Sequence, residues 1–130
     1  MAEEPAKISK KALKEFLSES EDIGEKLYHD HERLTESVKA GRVDQDALNA
    51  IFRGAHSLKG ICGMFGFPVL SHLSHNLENL LDGVRLGKVK LEGRILDLIY
   101  EGIDILHKIL EAKGEGRRAQ DLVEAFVAKL

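Results

Sequence analysis

The sequence is poor in the residues that mark secreted, membrane-spanning and β-rich proteins. Its 130 residues include one cysteine, two prolines, no tryptophan and only 5% aromatic side chains. A single cysteine cannot form an internal disulfide, and the N-terminal Met-Ala-Glu-Glu-Pro lacks the basic start and apolar stretch of a signal peptide. No apolar run approaches the roughly 18 residues of a membrane span. We therefore expect a cytoplasmic protein that does not insert directly into a membrane.

The charge is also not strongly of one sign. Nineteen Lys and Arg residues stand against 22 Asp and Glu, and the basic residues are scattered rather than gathered into a stripe. This distribution argues against nucleic acid as a partner. The 43% hydrophobic and 32% charged residues are typical of amphipathic helices packed in one domain spanning residues 1–130. We expect residues 1–8 to be flexible.

Apolar residues recur at helical spacing in five segments separated by glycines and caps. The first segment runs from about residue 9 to residue 40 and ends at Gly41, with Gly24 as a point where the helix could bend or divide. The second begins at the N-cap Asp44 and ends near Gly66, and the third runs from residue 68 to Gly87.

A fourth helix is predicted from about residue 92 to residue 112, and the turn Gly114-Glu115-Gly116 separates it from a short last helix. No segment is typical of a strand. Four long helices with short connections predict an all-α, up-and-down four-helix bundle, to which a fifth, C-terminal helix is added.

The second segment carries the first candidate for chemistry. On a helical wheel its core face is centred near Ile51 and Leu58, and His56 lies at the edge of that face. Gly60 and Gly63 are neighbours of His56 on the wheel, and each costs about 1 kcal/mol relative to alanine inside a helix. We interpret the glycines as clearing the surface beside the imidazole so that a partner can approach it.

Charged residues are predicted to surround this histidine. Lys59 lies on the same flank and could place its ammonium near an anion held by His56. The short connection at 66–68 makes the second and third helices antiparallel neighbours, so that Glu78, one turn after His75, could reach His56. A carboxylate on one ring nitrogen would fix the tautomer and leave the other nitrogen free as a nucleophile.

Each feature also has a simpler interpretation. A histidine on a helix flank is commonly surface filler, the glycines could serve close helix packing, and Glu78 with His75 could form only a local helix pair. Cys62 lies on the core face and is interpreted as a small buried hydrophobe rather than a nucleophile. The convergence of several such residues on one side of one helix pair favours the functional interpretation.

Four sequence runs together resemble a known family. They are FRGAHSLKG at 52–60, GMFGF at 63–67, HNLENLLD at 75–82 and RLG at 85–87. The runs closely resemble the histidine-phosphotransfer (HPt) domain, and within that family the N-terminal phosphotransfer domain of CheA-type chemotaxis histidine kinases. The specific similarity lies in the region 44–91, while the flanking helices match in length and order.

The resemblance implies an HPt fold and roles for six residues. His56 would be phosphorylated on the ring nitrogen remote from the backbone, and Glu78 would hold the other nitrogen. Lys59 and His75 would join that hydrogen-bonded cluster. Gly60 and Gly63 would give partners access to His56.

The resemblance also implies two protein partners. The ATP-binding domain of a histidine kinase would phosphorylate His56, and response-regulator receiver domains of the CheY or CheB type would accept the phosphoryl group on an aspartate. The chain has no Gly-rich phosphate loop, so we expect it to bind no cofactor, with ATP and Mg²⁺ held by the partners. The chain carries no kinase machinery of its own, and the resemblance favours the phosphoacceptor domain at the start of a longer histidine kinase over a free-standing phosphotransfer protein.

Two other function classes remain. A helical adaptor could use the same bundle face to bind a partner without any phosphotransfer, and acid-labile phosphorylation would discriminate between the two. A metal-binding bundle would use the numerous histidines, but His29 and His31 lie two residues apart and point to different sides of a helix. We therefore predict no metal site.

Overall fold

Five α-helices make up the part of the chain that the computed structural model describes, residues 9–112 and 115–130. Their bounds are α1 (Lys10–Lys39), α2 (Gln45–Phe65), α3 (Pro68–Arg85), α4 (Gly93–Glu111) and α5 (Arg117–Val127). Helices α1 to α4 contact one another in a closed ring, and α5 packs against α3 and α4. The four-helix bundle with an added fifth helix is confirmed, and no strand occurs within the described ranges. Two predictions concern residues outside those ranges. They are the flexibility of residues 1–8 and the part of the predicted turn at Gly114.

The helix ends follow local sequence signals. Asp44 caps α2, because its carboxylate accepts the backbone N–H of Ala47 at 3.0 Å. Gly66 ends α2 with a φ of 78°, a left-handed conformation that favours glycine. Helix α1 continues unbroken through Gly24, which is buried beside the ring of His107. The alternative in which Gly24 divides the first segment is therefore wrong.

Leucine and isoleucine side chains fill the space between the helices. The largest fully buried side chains are Phe16, Phe126, Leu27, Leu34, Leu48, Ile51, Leu58, Leu70, Leu73, Leu81, Ile99 and Ile103. Burying each such side chain contributes about 1.5 to 3 kcal/mol, so this core holds α2 and α3 rigidly against the rest of the bundle. None of the described helices combines the length and apolar character needed to cross a membrane.

Two glycines allow close helix packing that the sequence did not reveal. A Cβ atom built on Gly54 would lie 2.7 Å from Cδ2 of Leu27, where α1 meets α2. A Cβ atom on Gly102 would lie 2.5 Å from Cδ2 of Leu77, where α4 meets α3. Both distances are shorter than real carbon contacts, so a side chain at either position would require the neighbouring leucine to move within the close-packed core.

The start of α3 is capped by a residue distant in sequence. Phe67 occupies the N-cap position and provides no side-chain acceptor. The carboxylate of Glu115, in the segment before α5, accepts the backbone N–H groups of Val69 at 3.1 Å and Leu70 at 2.5 Å. A negative charge at this position also interacts favourably with the helix dipole. Glu115 thus ties the beginning of α3 to α5.

Candidate functional site

His56 lies near the middle of α2 and faces the neighbouring helix α3. Its side chain is 62% exposed, whereas Glu78 on α3 is only 14% exposed. Nδ1 of His56 lies 2.9 Å from Oε1 of Glu78. Because a carboxylate can only accept, Nδ1 carries the hydrogen of this bond, and a neutral ring then has its free lone pair on Nε2. The arrangement leaves one ring nitrogen available as a nucleophile.

Glu78 is shared between His56 and Lys59. Nζ of Lys59 forms an ion pair with the second carboxylate oxygen, Oε2, at 2.7 Å. Burial alone would raise the pKa of Glu78, but its contacts with Lys59 and His56 lower that pKa below its ordinary value. The carboxylate is therefore ionised at neutral pH and is a strong acceptor for the imidazole N–H.

The two glycines beside the histidine are exposed. A Cβ atom on Gly60 would meet no atom within 4 Å, and one on Gly63 would meet only Oγ of Ser71, at the ordinary contact distance of 3.9 Å. Neither glycine is needed for helix packing, unlike Gly54. The interpretation that the two glycines serve close helix packing is therefore wrong for Gly60. The interpretation that they give a partner access to His56 stays a prediction, which this geometry supports.

The structure does not bring His75 into the cluster around Glu78. Nε2 of His75 lies 3.3 Å from Nδ2 of Asn79, one turn further along α3. Within the described residues, no hydrogen bond or ion pair joins His75 to Glu78, whose two carboxylate oxygens face His56 and Lys59. His75 instead borders a shallow depression that it shares with Lys59 on the other side of the α2–α3 groove.

A second set of contacts beside His56 was not predicted as part of the site. The aromatic ring of Phe52 lies nearly parallel to the imidazole of His56, with 13° between the planes and 6.4 Å between the centroids. The guanidinium carbon of Arg85, on α3, lies 4.0 Å from the centroid of the Phe52 ring. The spacing of four residues between Phe52 and His56 could have indicated the first contact. The contact with Arg85 depends on how the two helices pack.

Other candidate chemistry is absent from this region. Cys62 is fully buried, as predicted, and burial together with a smaller effect of Glu115 raises the pKa of its thiol to about 12. Such a thiol is not a nucleophile at neutral pH. Within residues 9–112 and 115–130, no group of three or more His, Cys, Asp and Glu side chains is arranged to hold a metal ion.

Comparison with known proteins identifies the family to which the chain belongs. The family model described as the Hpt domain matches residues 11–127. The chain belongs to the Hpt domain family. It is 35% identical to the chemotaxis protein CheA of Treponema pallidum over 91% of its own length, and 42% identical to CheA of Klebsiella aerogenes over 70% of its length. It spans only 14% of the length of each of these two relatives.

A solved structure confirms the fold of this Hpt domain. The phosphorylated P1 domain of CheA3 from R. sphaeroides, solved in complex with CheY6, superposes with a TM-score of 0.63. The match covers 88% of this chain and 97% of that domain. At 20% sequence identity, this likeness establishes the helical architecture shared by the two domains.

Proposed function

We propose that His56 is the phosphoacceptor of this Hpt domain. In this proposal, Nε2 receives the γ-phosphoryl group of ATP bound to the kinase domain of a CheA-type histidine kinase. It then passes the group to an aspartate on a CheY- or CheB-like receiver domain. The observation that carries the proposal is the 2.9 Å contact between Nδ1 of His56 and Glu78, which leaves Nε2 as the nucleophilic nitrogen.

The chemistry of the first step follows from this contact. The Nε2 lone pair attacks the γ-phosphorus, an N–P bond forms, and the bond to the β–γ bridging oxygen breaks as ADP leaves with the electron pair. Positive charge develops on the imidazole during this attack. The ionised Glu78 carboxylate stabilises that charge through Nδ1–H, much as a carboxylate stabilises the histidine of a catalytic triad.

The second step reverses the roles of the reacting atoms. A carboxylate oxygen of the receiver aspartate attacks the phosphorus, the N–P bond breaks, and Nε2 regains its electron pair. We assign the ATP and Mg²⁺ of the two steps to the partner proteins. Lys59 supplies a cation near the transferred phosphoryl oxygens while it also holds Glu78, and the exposed glycines Gly60 and Gly63 let both partners approach.

The curated relatives favour a role in chemotaxis. Those compared above are named chemotaxis protein CheA, and this chain spans a small part of their length. We propose that the domain serves as the phosphoacceptor of such a kinase. By itself it catalyses neither the transfer from ATP to His56 nor the transfer from His56 to a receiver domain. This is the reason that the kinase domain must be supplied separately in any assay.

A two-step transfer assay tests the proposal. The 130-residue chain is incubated with radiolabelled ATP and the separate ATP-binding domain of a CheA relative, and a receiver domain is then added. The proposal predicts acid-labile label on the chain that moves to the receiver domain. Label that never appears on the chain, or that survives acid, contradicts the proposal, and absence of label would favour the adaptor alternative.

A further inference from the structure

Arg85 crosses from α3 to the face of an aromatic ring on α2. Its guanidinium carbon lies 4.0 Å from the centroid of Phe52, a distance typical of a cation–π contact. Its Nε donates a hydrogen bond to Oδ1 of Asn49 at 3.1 Å, and its Nη1 lies 3.4 Å from the carboxylate of Asp82. Three neighbouring groups thus contact the guanidinium and favour its position over the ring.

Phe52 in turn lies next to the imidazole of His56. The two rings are four residues apart on α2, nearly parallel, and separated by 6.4 Å between centroids. This separation lies within the range of offset aromatic pairs. The ring of Phe52 thus lies next to both the cation of Arg85 and the imidazole of His56.

The imidazole needs more than one restraint. The hydrogen bond from Nδ1 to Glu78 fixes one atom of the ring, but a single contact leaves the ring plane free to turn about it. With 62% of the His56 side chain exposed, few other neighbours restrain that plane. A parallel ring beside the imidazole restricts this rotation, provided that the parallel ring is itself held in place.

We propose that Arg85 is a positioning residue for His56, acting through the ring of Phe52. Arg85 packs against one face of the Phe52 ring. Phe52 in turn keeps the imidazole plane in the orientation from which Nε2 reacts. The inference rests on the proposed role of His56 as phosphoacceptor and adds two residues to that site. Arg85 does not touch the reacting atoms, so its effect is on orientation.

Steady-state kinetics separate positioning from docking. With the chain as the substrate of the kinase domain, Arg85→Ala is expected to lower kcat about 10-fold and to leave KM unchanged. Phe52→Leu is expected to have an effect of similar size. Arg118→Ala, which removes an exposed arginine from α5, serves as the matched control and should react like the parent.

A double variant tests whether Arg85 acts through Phe52. If it does, Arg85→Ala combined with Phe52→Leu is no slower than Phe52→Leu alone, because the route of action is already lost. Arg85→Lys keeps the charge but loses the planar stack and the bond to Asn49, and we expect it to recover only part of the rate. Should Arg85→Ala fail to fold, Arg85→Lys and Asn49→Ala provide the same test.

An NMR measurement of the His56 ring tests the inference without any kinase. The parent is expected to show NOEs between the ring protons of His56 and Phe52 that define one imidazole plane, whereas Arg85→Ala should lose these NOEs and show an averaged ring orientation. The inference is overturned by a higher KM with kcat unchanged, which would indicate docking, by additive losses in the double variant, or by ring spectra that match the parent. If the parent itself takes no label, the proposed function fails, and the ring spectra still decide whether Arg85 positions the imidazole.

Discussion

His56 and Glu78 come from different helices, yet Nδ1 of the first lies 2.9 Å from Oε1 of the second. Only a short turn at Gly66 and Phe67 joins the two helices, so the contact depends on the packing of α2 against α3. The same carboxylate forms the 2.7 Å ion pair with Lys59. This shared acceptor explains how an exposed imidazole can keep one tautomer, and it leads to the following predictions.

Replacing Glu78 should slow phosphorylation and leave the fold intact. Glu78→Ala removes the acceptor of Nδ1–H, so the ring loses both its fixed tautomer and its charge stabilisation, and we expect transfer to fall about 10- to 100-fold. Glu78→Gln keeps an acceptor oxygen without the charge, so its transfer rate should lie between those of the parent and Glu78→Ala. Rates are measured as label incorporated per minute, and circular dichroism checks the helical content. An unchanged rate in Glu78→Ala would remove this residue from the mechanism.

The stabilising contribution of Glu78 should be lost in acid. Its pKa is lower in the folded chain than its ordinary value of about 4.3, so its stabilising effect is complete above that value and is lost as the pH falls through the folded pKa. Urea unfolding of the parent and of Glu78→Gln, from neutral pH down to about pH 3, should show their free energies of unfolding converging in acid. Glu25→Gln, a change at an exposed position on α1, provides the control. A difference between parent and Glu78→Gln that stays constant with pH would contradict the prediction.

Gly60→Ala should separate stability from function. A Cβ atom at Gly60 meets nothing within 4 Å, so alanine should stabilise α2 by up to about 1 kcal/mol through its higher helix propensity. Transfer from the kinase domain should nevertheless slow, because the added methyl group lies on the approach to His56. Gly102→Ala is the contrasting variant: its Cβ would lie 2.5 Å from Leu77, and it should destabilise the bundle by about 1 to 3 kcal/mol. If Gly60→Ala reacts at the parental rate, the access role of this glycine is wrong.

Glu115→Ala should weaken the start of α3. The variant leaves the N–H groups of Val69 and Leu70 without their carboxylate acceptor, and we expect a loss of about 1 kcal/mol in the free energy of unfolding. Glu115→Gln keeps an acceptor and should lose less. Hydrogen exchange should show the loss of protection concentrated at the beginning of α3. Equal exchange in parent and variant would indicate that the cap is not formed in solution.

Features encoded by neighbouring residues could be predicted from the sequence. Asp44 and Gly66 mark the ends of α2 because caps depend on local backbone geometry. The pairing of His56 with Glu78 could also be predicted. Helical periodicity places both residues at the edge of an apolar stripe, and a short turn makes their helices neighbours. The site was therefore predictable in outline from two helices alone.

Features that depend on tertiary packing could not be predicted. Glu115 caps a helix that begins more than 40 residues earlier in the chain, and no local pattern marks that pairing. The stacking of Arg85 on Phe52 requires the exact register between α2 and α3. His75 shares the helical spacing that suggested a role beside Glu78, but its ring contacts Asn79 on its own helix, and the direction of a side chain cannot be predicted from spacing alone.

The most direct measurement is the acid-labile incorporation of phosphate from ATP into the chain and into its His56→Gln variant, each incubated with the separate kinase domain. His29→Gln, which removes an exposed histidine from α1, is the matched control. The account predicts that the parent and His29→Gln are labelled equally and that His56→Gln takes no label. Label retained on His56→Gln would contradict the central claim.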